Sequence, residues 1–463
     1  MKSLFAILTV VVFVGVLVVM PVKTDAIGAF TVCGLFSIPV ALLIQRAKVE
    51  REFLLQVFVA ALLVRVIVGA VINYFQLQDF FGGDAIQYDY YGSALVKAWA
   101  GDRYYQTEVN TFFGEYGQSA WGMVYMVGAI YKVIGRNMLA IQFTNAVFGA
   151  ATAPAVFLIA HTLFQNKRVA HLTALLVAFF PSLVLWSSQG LKDGPIVFLL
   201  VLAILLTLKL GEKLTFINAT VLCLVLATLI SFRFYLFYMM TAAVAGAFII
   251  GTRELTLSRF IRQSLVVIGI GIGLTYLGVL RTAQQQAGYF GDLRVVERSR
   301  LDQSRAQSGF GQEVDVSTTQ GAIKAVPLGI INLLFAPFPW EVRSLRQSIT
   351  LPEMLVWWTC FPLLILGLWF TIRHRLRQSF VILIFTTMLT LAYSIYQGNV
   401  GTAYRQRAQL LVFYFIFVAV GYVLVREKRE EKKQHADAVR QPPEERPRDR
   451  RFPISAGSPA KAN

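Results

Sequence analysis

Residues 408–425 read AQLLVFYFIFVAVGYVLV, eighteen residues without a charge. A helix rises about 1.5 Å per residue, so this run reaches roughly 27 Å, close to the hydrocarbon thickness of a bilayer. Arg405 and Arg407 stand just before it, and a basic stretch from Arg426 to Lys433 follows it. Further apolar runs lie upstream, at about 4–22, 27–45, 53–75, 119–134, 138–163, 169–188, 194–210, 214–231, 235–251, 263–280, 351–372 and 379–396. Composition agrees with the runs: 56% of the 463 residues are hydrophobic and 15% are charged, against about 25% charged in an ordinary soluble domain. That balance excludes a soluble globular protein, a disordered chain and a disulfide-framed secreted module. The fold class it predicts is an all-α polytopic membrane protein.

The formal net charge is +17. Much of it lies in short loops between runs, where retention of Lys and Arg on the cytoplasmic side accounts for it, so no nucleic-acid partner is expected. Arg46, Lys48 and Arg51 mark one cytoplasmic loop, Lys167 and Arg168 a second, and Arg253, Arg259 and Arg262 a third. Arg373, Arg375 and Arg377 mark the fourth. Loops 77–118, 189–194, 281–350 and 397–407 then face outward. Two runs lie between residue 118 outside and residue 168 inside. One of them therefore does not cross, and the shorter, 119–134, which contains Lys132, is the expected re-entrant or interfacial helix. Twelve crossings remain, with the first run expected to be an uncleaved helix.

The expected division is a transmembrane catalytic bundle over 1–425 and a disordered cytoplasmic tail over 426–463. The tail is rich in Arg, Glu, Pro and Lys and buries too little surface to order itself. Cys33, Cys223 and Cys360 each fall in an apolar run and read as small buried hydrophobes. Neither a metal-binding spacing nor a nucleotide loop or dinucleotide fingerprint occurs, so no cofactor is expected.

The outer loops carry the chemistry. Gly82-Gly83-Asp84 opens a helical pattern in which Asp84, Tyr88 and Tyr91 share a face. Near a helix N-terminus Asp84 can serve as a cap, or as a base that takes a proton from an acceptor hydroxyl. Asp89 and Glu115 are the other acids of this loop considered as catalytic groups. Lys192, Arg233, Arg405 and Arg407 are candidate anion-binding residues, because a guanidinium donates two parallel hydrogen bonds to phosphate. Lys192 and the adjacent Asp193 can also simply neutralise each other. The segment Phe335-Ala336-Pro337-Phe338-Pro339-Trp340 reads as a stiff surface turn. Phe338 and Trp340 can stack on a sugar or line a prenyl groove, with Arg343 and Arg346 at the rim. The first part of loop 281–350 adds Arg281, Arg294, Arg298, Arg300 and Arg305 against Asp292, Glu297 and Asp302.

The GGDA-x-x-Y helix of an early outer loop, followed by many helices and a late outer loop, resembles the lipid-carrier-dependent GT-C glycosyltransferases. That family includes the protein mannosyltransferases and aminoarabinose transferases. The resemblance is strongest over about 80–200, including Trp186-Ser187-Ser188-Gln189-Gly190-Leu191-Lys192-Asp193. It implies an acidic catalytic residue in the first outer loop, which maps to Asp84. Two features differ: two extra helices precede the loop, and Ala85 stands where a neighbouring second acid is usual. The implied reaction moves a sugar from a polyprenyl-phosphate donor to a glycan, lipid or protein acceptor, outside a bacterial plasma membrane. An oligosaccharide repeat-unit polymerase or ligase is the alternative, on the spacing of Arg298 to Gly309 and Arg300 to Gly311. A transporter or flippase is a third reading, which would place its charges deep within helices rather than at their ends.

Overall fold

The computed structural model describes residues 2–116, 121–250, 269, 271–272, 292–305, 308–311, 314–342 and 344–440. Among the described residues the chain is helical nearly throughout and forms no strand, with an isolated bridge joining Gly309 to Asn399. The helices are α1 Lys2–Val19, α2 Lys23–Gln45, α3 Arg51–Tyr74, α4 Gln78–Phe81, α5 Asp84–Trp99 and α6 Arg103–Tyr116. Then come α7 Trp121–Ile134, α8 Met138–Phe164, α9 Lys167–Phe179, α10 Pro181–Ser187, α11 Asp193–Glu212 and α12 Phe216–Ile250. The last five are α13 Leu293–Ser304, α14 Thr319–Phe335, α15 Leu345–Arg375, α16 Phe380–Tyr396 and α17 Val400–Arg440.

Among the described residues, α2, α3, α8, α11, α12, α15 and α17 are each long and apolar enough to cross a bilayer. The pair α9 and α10, bent by 53°, makes an eighth if it is one span. This is an integral membrane protein. Helix α7 has 14 residues, about 21 Å, well short of a hydrocarbon core of about 30 Å. Most of run 263–280 and the Arg253–Arg262 loop lie outside the described residues.

Helix α8 forms the centre. Its Ala140, Ala146, Gly149, Ala150, Ala153 and Ala160 allow close approach, and α2, α3, α9 and α11 pack around it. Helix α17 is the second buried axis, packed on α15, α9 and α14. Two elements depart from the sequence expectation. Helix α14 lies inside the region expected as an outer loop and packs along α16. Lys324 and Pro327 interrupt its apolar pattern, which is why it does not read as a run. The tail expected to be disordered from residue 426 is helical to Arg440. Strong helix formers, the Arg426–Glu430 pair at i,i+4 and the Arg168–Glu430 bridge hold it. Residues 441–463 lie outside the described residues.

Among the described residues, charged loops meet loops assigned to the same side. Glu50 pairs with Lys167 at 2.6 Å, and Arg168 with Glu430 at 3.1 Å. Asp84, Lys192, Arg233 and Arg405, from the opposite set of loops, gather at the other end.

Candidate active site

Three breaks in helical regularity build the site. The first is the join of α9 to α10. Pro181 has no N–H, so the carbonyl of Val177 loses its helical partner. Arg65 of α3, 1% exposed, fills the gap. It donates to Ala178 O at 2.7 Å, to Val177 O at 3.4 Å and to Ser187 Oγ at 2.8 Å. One guanidinium thus ties the last turn of α9 to the end of α10. Only glycine fits at position 149, because a Cβ there would lie 2.3 Å from Ser187 Oγ and 2.7 Å from Arg65 Nε.

The second break is the loop 188–192 between α10 and α11. Asn145 of α8, fully buried, donates through Nδ2 to the carbonyls of Gln189 and Leu191, both at 2.6 Å. That pins the loop and sets Asp193 as the first residue of α11, where the helix dipole favours a carboxylate. The third break is the kink of α12 at Arg233, whose backbone is extended (φ −157°, ψ 99°). The side chain is released from the helix surface and turns inward.

These breaks, with α5 and α17, bring two carboxylates and three cations together. Arg405 Nη1 donates to Asp84 Oδ2 at 2.8 Å. Its Nε donates to Asp193 Oδ2 at 2.8 Å, and Nη2 lies 2.6 Å from the same oxygen. The guanidinium also lies 5.9 Å from the Trp186 ring. Arg233 approaches Asp193 Oδ1 from behind at 3.9 Å. It donates to the hydroxyls of Tyr235 at 2.8 Å and Tyr393 at 3.3 Å, and Tyr393 in turn donates to Gln409 Oε1 at 2.7 Å. The Asp193 side chain is 1% exposed and that of Asp84 is 47% exposed. Asp84 is the first residue of α5 and caps nothing; Gly83 holds the cap position.

Lys192 is buried beside them. Burial first, and then the charge of Arg233, push its ammonium down to about 7, with Asp193 and Asp84 opposing. Tyr88 is buried in α5. Burial, reinforced by the Asp84 charge, raises its hydroxyl, so it stays a neutral phenol near this cluster. A cavity of about 20 Å³ lies behind Asp193, lined also by Arg65, Ser187 and Trp186. It suits one water and is far below the several hundred Å³ that a sugar needs.

Other residues singled out by the sequence lie elsewhere. Arg407 does not join Arg405. Two positions along a helix turn the side chain through about 200°, to the opposite face. Its Nη1 donates to Leu334 O at 3.0 Å and Nη2 to Ala336 O at 2.5 Å, closing the end of α14. Asp89 accepts from Tyr131 at 2.5 Å and from Arg136 through Nη2 at 2.5 Å and Nε at 3.1 Å, tying α5 to α7. Phe338 and Trp340 stack with ring centroids 5.1 Å apart, and Trp340 is 77% exposed. Arg346 links this region to the approach of Asp84, donating to Asp79 O at 3.0 Å with its guanidinium 5.1 Å from the Phe80 ring. Arg300 turns into its own loop and donates to Val314 O at 2.5 Å. Glu115 falls in α6, but its side chain, Arg343 and Arg281 lie outside the described residues. Sequence reasoning missed Asp193 as a partner of Arg405, and missed Arg65 and Asn145 altogether. The available signal was a polar residue at membrane depth in α3 and α8.

Residues 119–277 match the family profile described as dolichyl-phosphate-mannose-protein mannosyltransferase. That span contains Lys192, Asp193 and Arg233, while Asp84 and Arg405 lie outside it. Among curated proteins none matches the chain. Among solved structures, the apo oligosaccharyltransferase of Archaeoglobus fulgidus is similar over 85% of this chain, at 14% identity and a TM-score of 0.46. The chain spans about half of that protein, 53% of its length. Over residues 119–277, about a third of its length, this chain is thus similar to the dolichyl-phosphate-mannose-protein mannosyltransferase family.

Proposed function

We propose that this protein transfers a sugar from a polyprenyl-phosphate donor to an acceptor hydroxyl, on the outer face of a bacterial plasma membrane. The observation that carries the reading is the bridge of Arg405 between a half-exposed Asp84 and a buried Asp193, with Arg233 at the back. Asp84 takes the proton of the acceptor hydroxyl, whose oxygen forms a new bond to the sugar carbon. The bond from that carbon to the phosphate oxygen breaks, and its electron pair leaves on the phosphate. Positive charge develops at the sugar and negative charge at the leaving group. Arg405, Arg233 and Lys192 are placed to stabilise the latter in a poorly hydrated setting.

The prenyl chain lies between helices on the lipid side, and the acceptor is a glycan, lipid or protein hydroxyl. Phe338 and Trp340 offer a flat surface for a sugar ring near the rim. The reaction as proposed draws its positive charge from side chains and uses no cofactor. The test is turnover in detergent with a panel of polyprenyl-phosphate sugars, comparing wild type with Asp84→Asn. Turnover by wild type and its loss in the folded variant support the reading. A folded wild type that turns over no donor but moves solutes into liposomes refutes it.

A further inference from the structure

Arg405 is shared unequally. Asp193 Oδ2 accepts from Nε at 2.8 Å and lies in ion-pair contact with Nη2 at 2.6 Å; it is buried, with Arg233 beside its other oxygen. Asp84 receives Nη1 alone, at 2.8 Å, and its side chain is 47% exposed. Water already solvates Asp84, so releasing it loses one charge-assisted hydrogen bond and little else. Releasing Asp193 would strand a buried carboxylate. The two acids are therefore a fixed partner and an exchangeable one. An anion arriving from the exposed side meets an arginine held in place by Asp193, with one nitrogen occupied by a competitor of the same charge.

We infer that the donor phosphate displaces Asp84 from Arg405 Nη1, so that seating the donor is the event that frees the base. This rests on the donor class proposed above. Before the donor binds, Asp84 Oδ2 is occupied by Arg405 Nη1 at 2.8 Å. Once phosphate takes Nη1, the carboxylate keeps its charge and loses its cation. The acceptor hydroxyl then gives its proton to Asp84, and the phosphate leaves with the bonding pair. Transfer of that proton from Asp84 to solvent restores the carboxylate, which competes for Nη1 and expels the spent lipid phosphate. The cycle makes donor binding precede activation of the acceptor.

The test is equilibrium binding of a short-chain prenyl phosphate to the full-length protein in detergent, for wild type, Asp84→Asn and Asp84→Ala, with thermal melting as the check on folding. Inorganic phosphate serves as the second probe. Both variants should bind the prenyl phosphate at least fivefold tighter than wild type while turning over no sugar donor. Inorganic phosphate should bind more weakly but rank the three proteins alike. Equal or weaker binding by both folded variants overturns the exchange; turnover of a polyprenyl-phosphate sugar by wild type would then leave the transferase reading standing. Absence of prenyl-phosphate binding to folded wild type overturns both. Equal affinity for the two probes assigns the site to free phosphate and overturns the lipid donor.

Discussion

Arg405 and Asp193, 212 residues apart in the chain, form the buried half of the site: Nε donates to Oδ2 at 2.8 Å and the carboxylate is 1% exposed. The pair joins the start of α17 to the start of α11. An arginine so placed carries both an electrostatic and a structural duty, and substitution should reveal both.

Arg405→Gln should lower turnover at least about 100-fold, the usual effect of removing a donor aimed at developing negative charge. It should also destabilise the protein by about 3 kcal/mol, because the buried Asp193 loses its hydrogen-bonded cation and keeps Arg233 at 3.9 Å. Turnover assays and thermal melting in the same detergent check the two effects. A variant with normal turnover removes Arg405 from the chemistry.

Arg407→Met should separate the two arginines. Arg407 closes the end of α14 through the carbonyls of Leu334 and Ala336 and is 1% exposed. Loss of those bonds should destabilise the fold by about 2 kcal/mol. The KM for donor should stay within about twofold of wild type, since the side chain points away from Asp84. A large rise in KM with unchanged melting would place Arg407 at the donor phosphate instead.

Asp89→Asn tests which acid of α5 is chemical. Asp89 is held by Tyr131 and Arg136. Because the Arg136 side chain is 57% exposed, the pair is screened, and its loss should cost about 1 kcal/mol. Turnover should remain within about threefold, in contrast to the loss expected for Asp84→Asn. Equal losses for the two variants would contradict the assignment of Asp84 as the base.

Lys192 gives the site a pH dependence. Burial and Arg233 push it down to about 7, so its charged fraction falls as pH rises through that value. Binding of a prenyl phosphodiester, whose own charge is constant in this range, should be strongest near pH 6. It should weaken about tenfold by pH 8.5, the order of one charge-assisted hydrogen bond. Lys192→Met should bind weakly at both values, with the slope abolished. A wild-type affinity that does not vary across this range would take Lys192 out of the anion site.

Much of the architecture was legible because a bilayer demands long apolar helices, and those appear as runs in a sequence. The runs located α2, α3, α8, α11, α12, α15 and α17. The charge bias sorted Glu50, Lys167, Arg168 and Glu430 to one end and Asp84, Lys192, Arg233 and Arg405 to the other. Helix α14 was missed because Lys324 and Pro327 break its run, and the helix past residue 425 because composition weighed burial and not local helix propensity.

What the sequence determined by itself, then, was membrane class, the positions of most helices and the inventory of charges at one end of the bundle. Those follow from properties local in the chain: run length, loop charge and helix-breaking residues. The tertiary structure decided which charges meet. Asp193 looked like a neighbour of Lys192 and instead holds Arg405, while Arg407, two residues from Arg405, serves the end of α14. Arg65, unremarked in its apolar run, ties the end of α9 to the end of α10. Such pairings depend on packing between helices 71 to 212 residues apart in the chain, and on which face of each helix a side chain occupies. No pattern local to the chain records either.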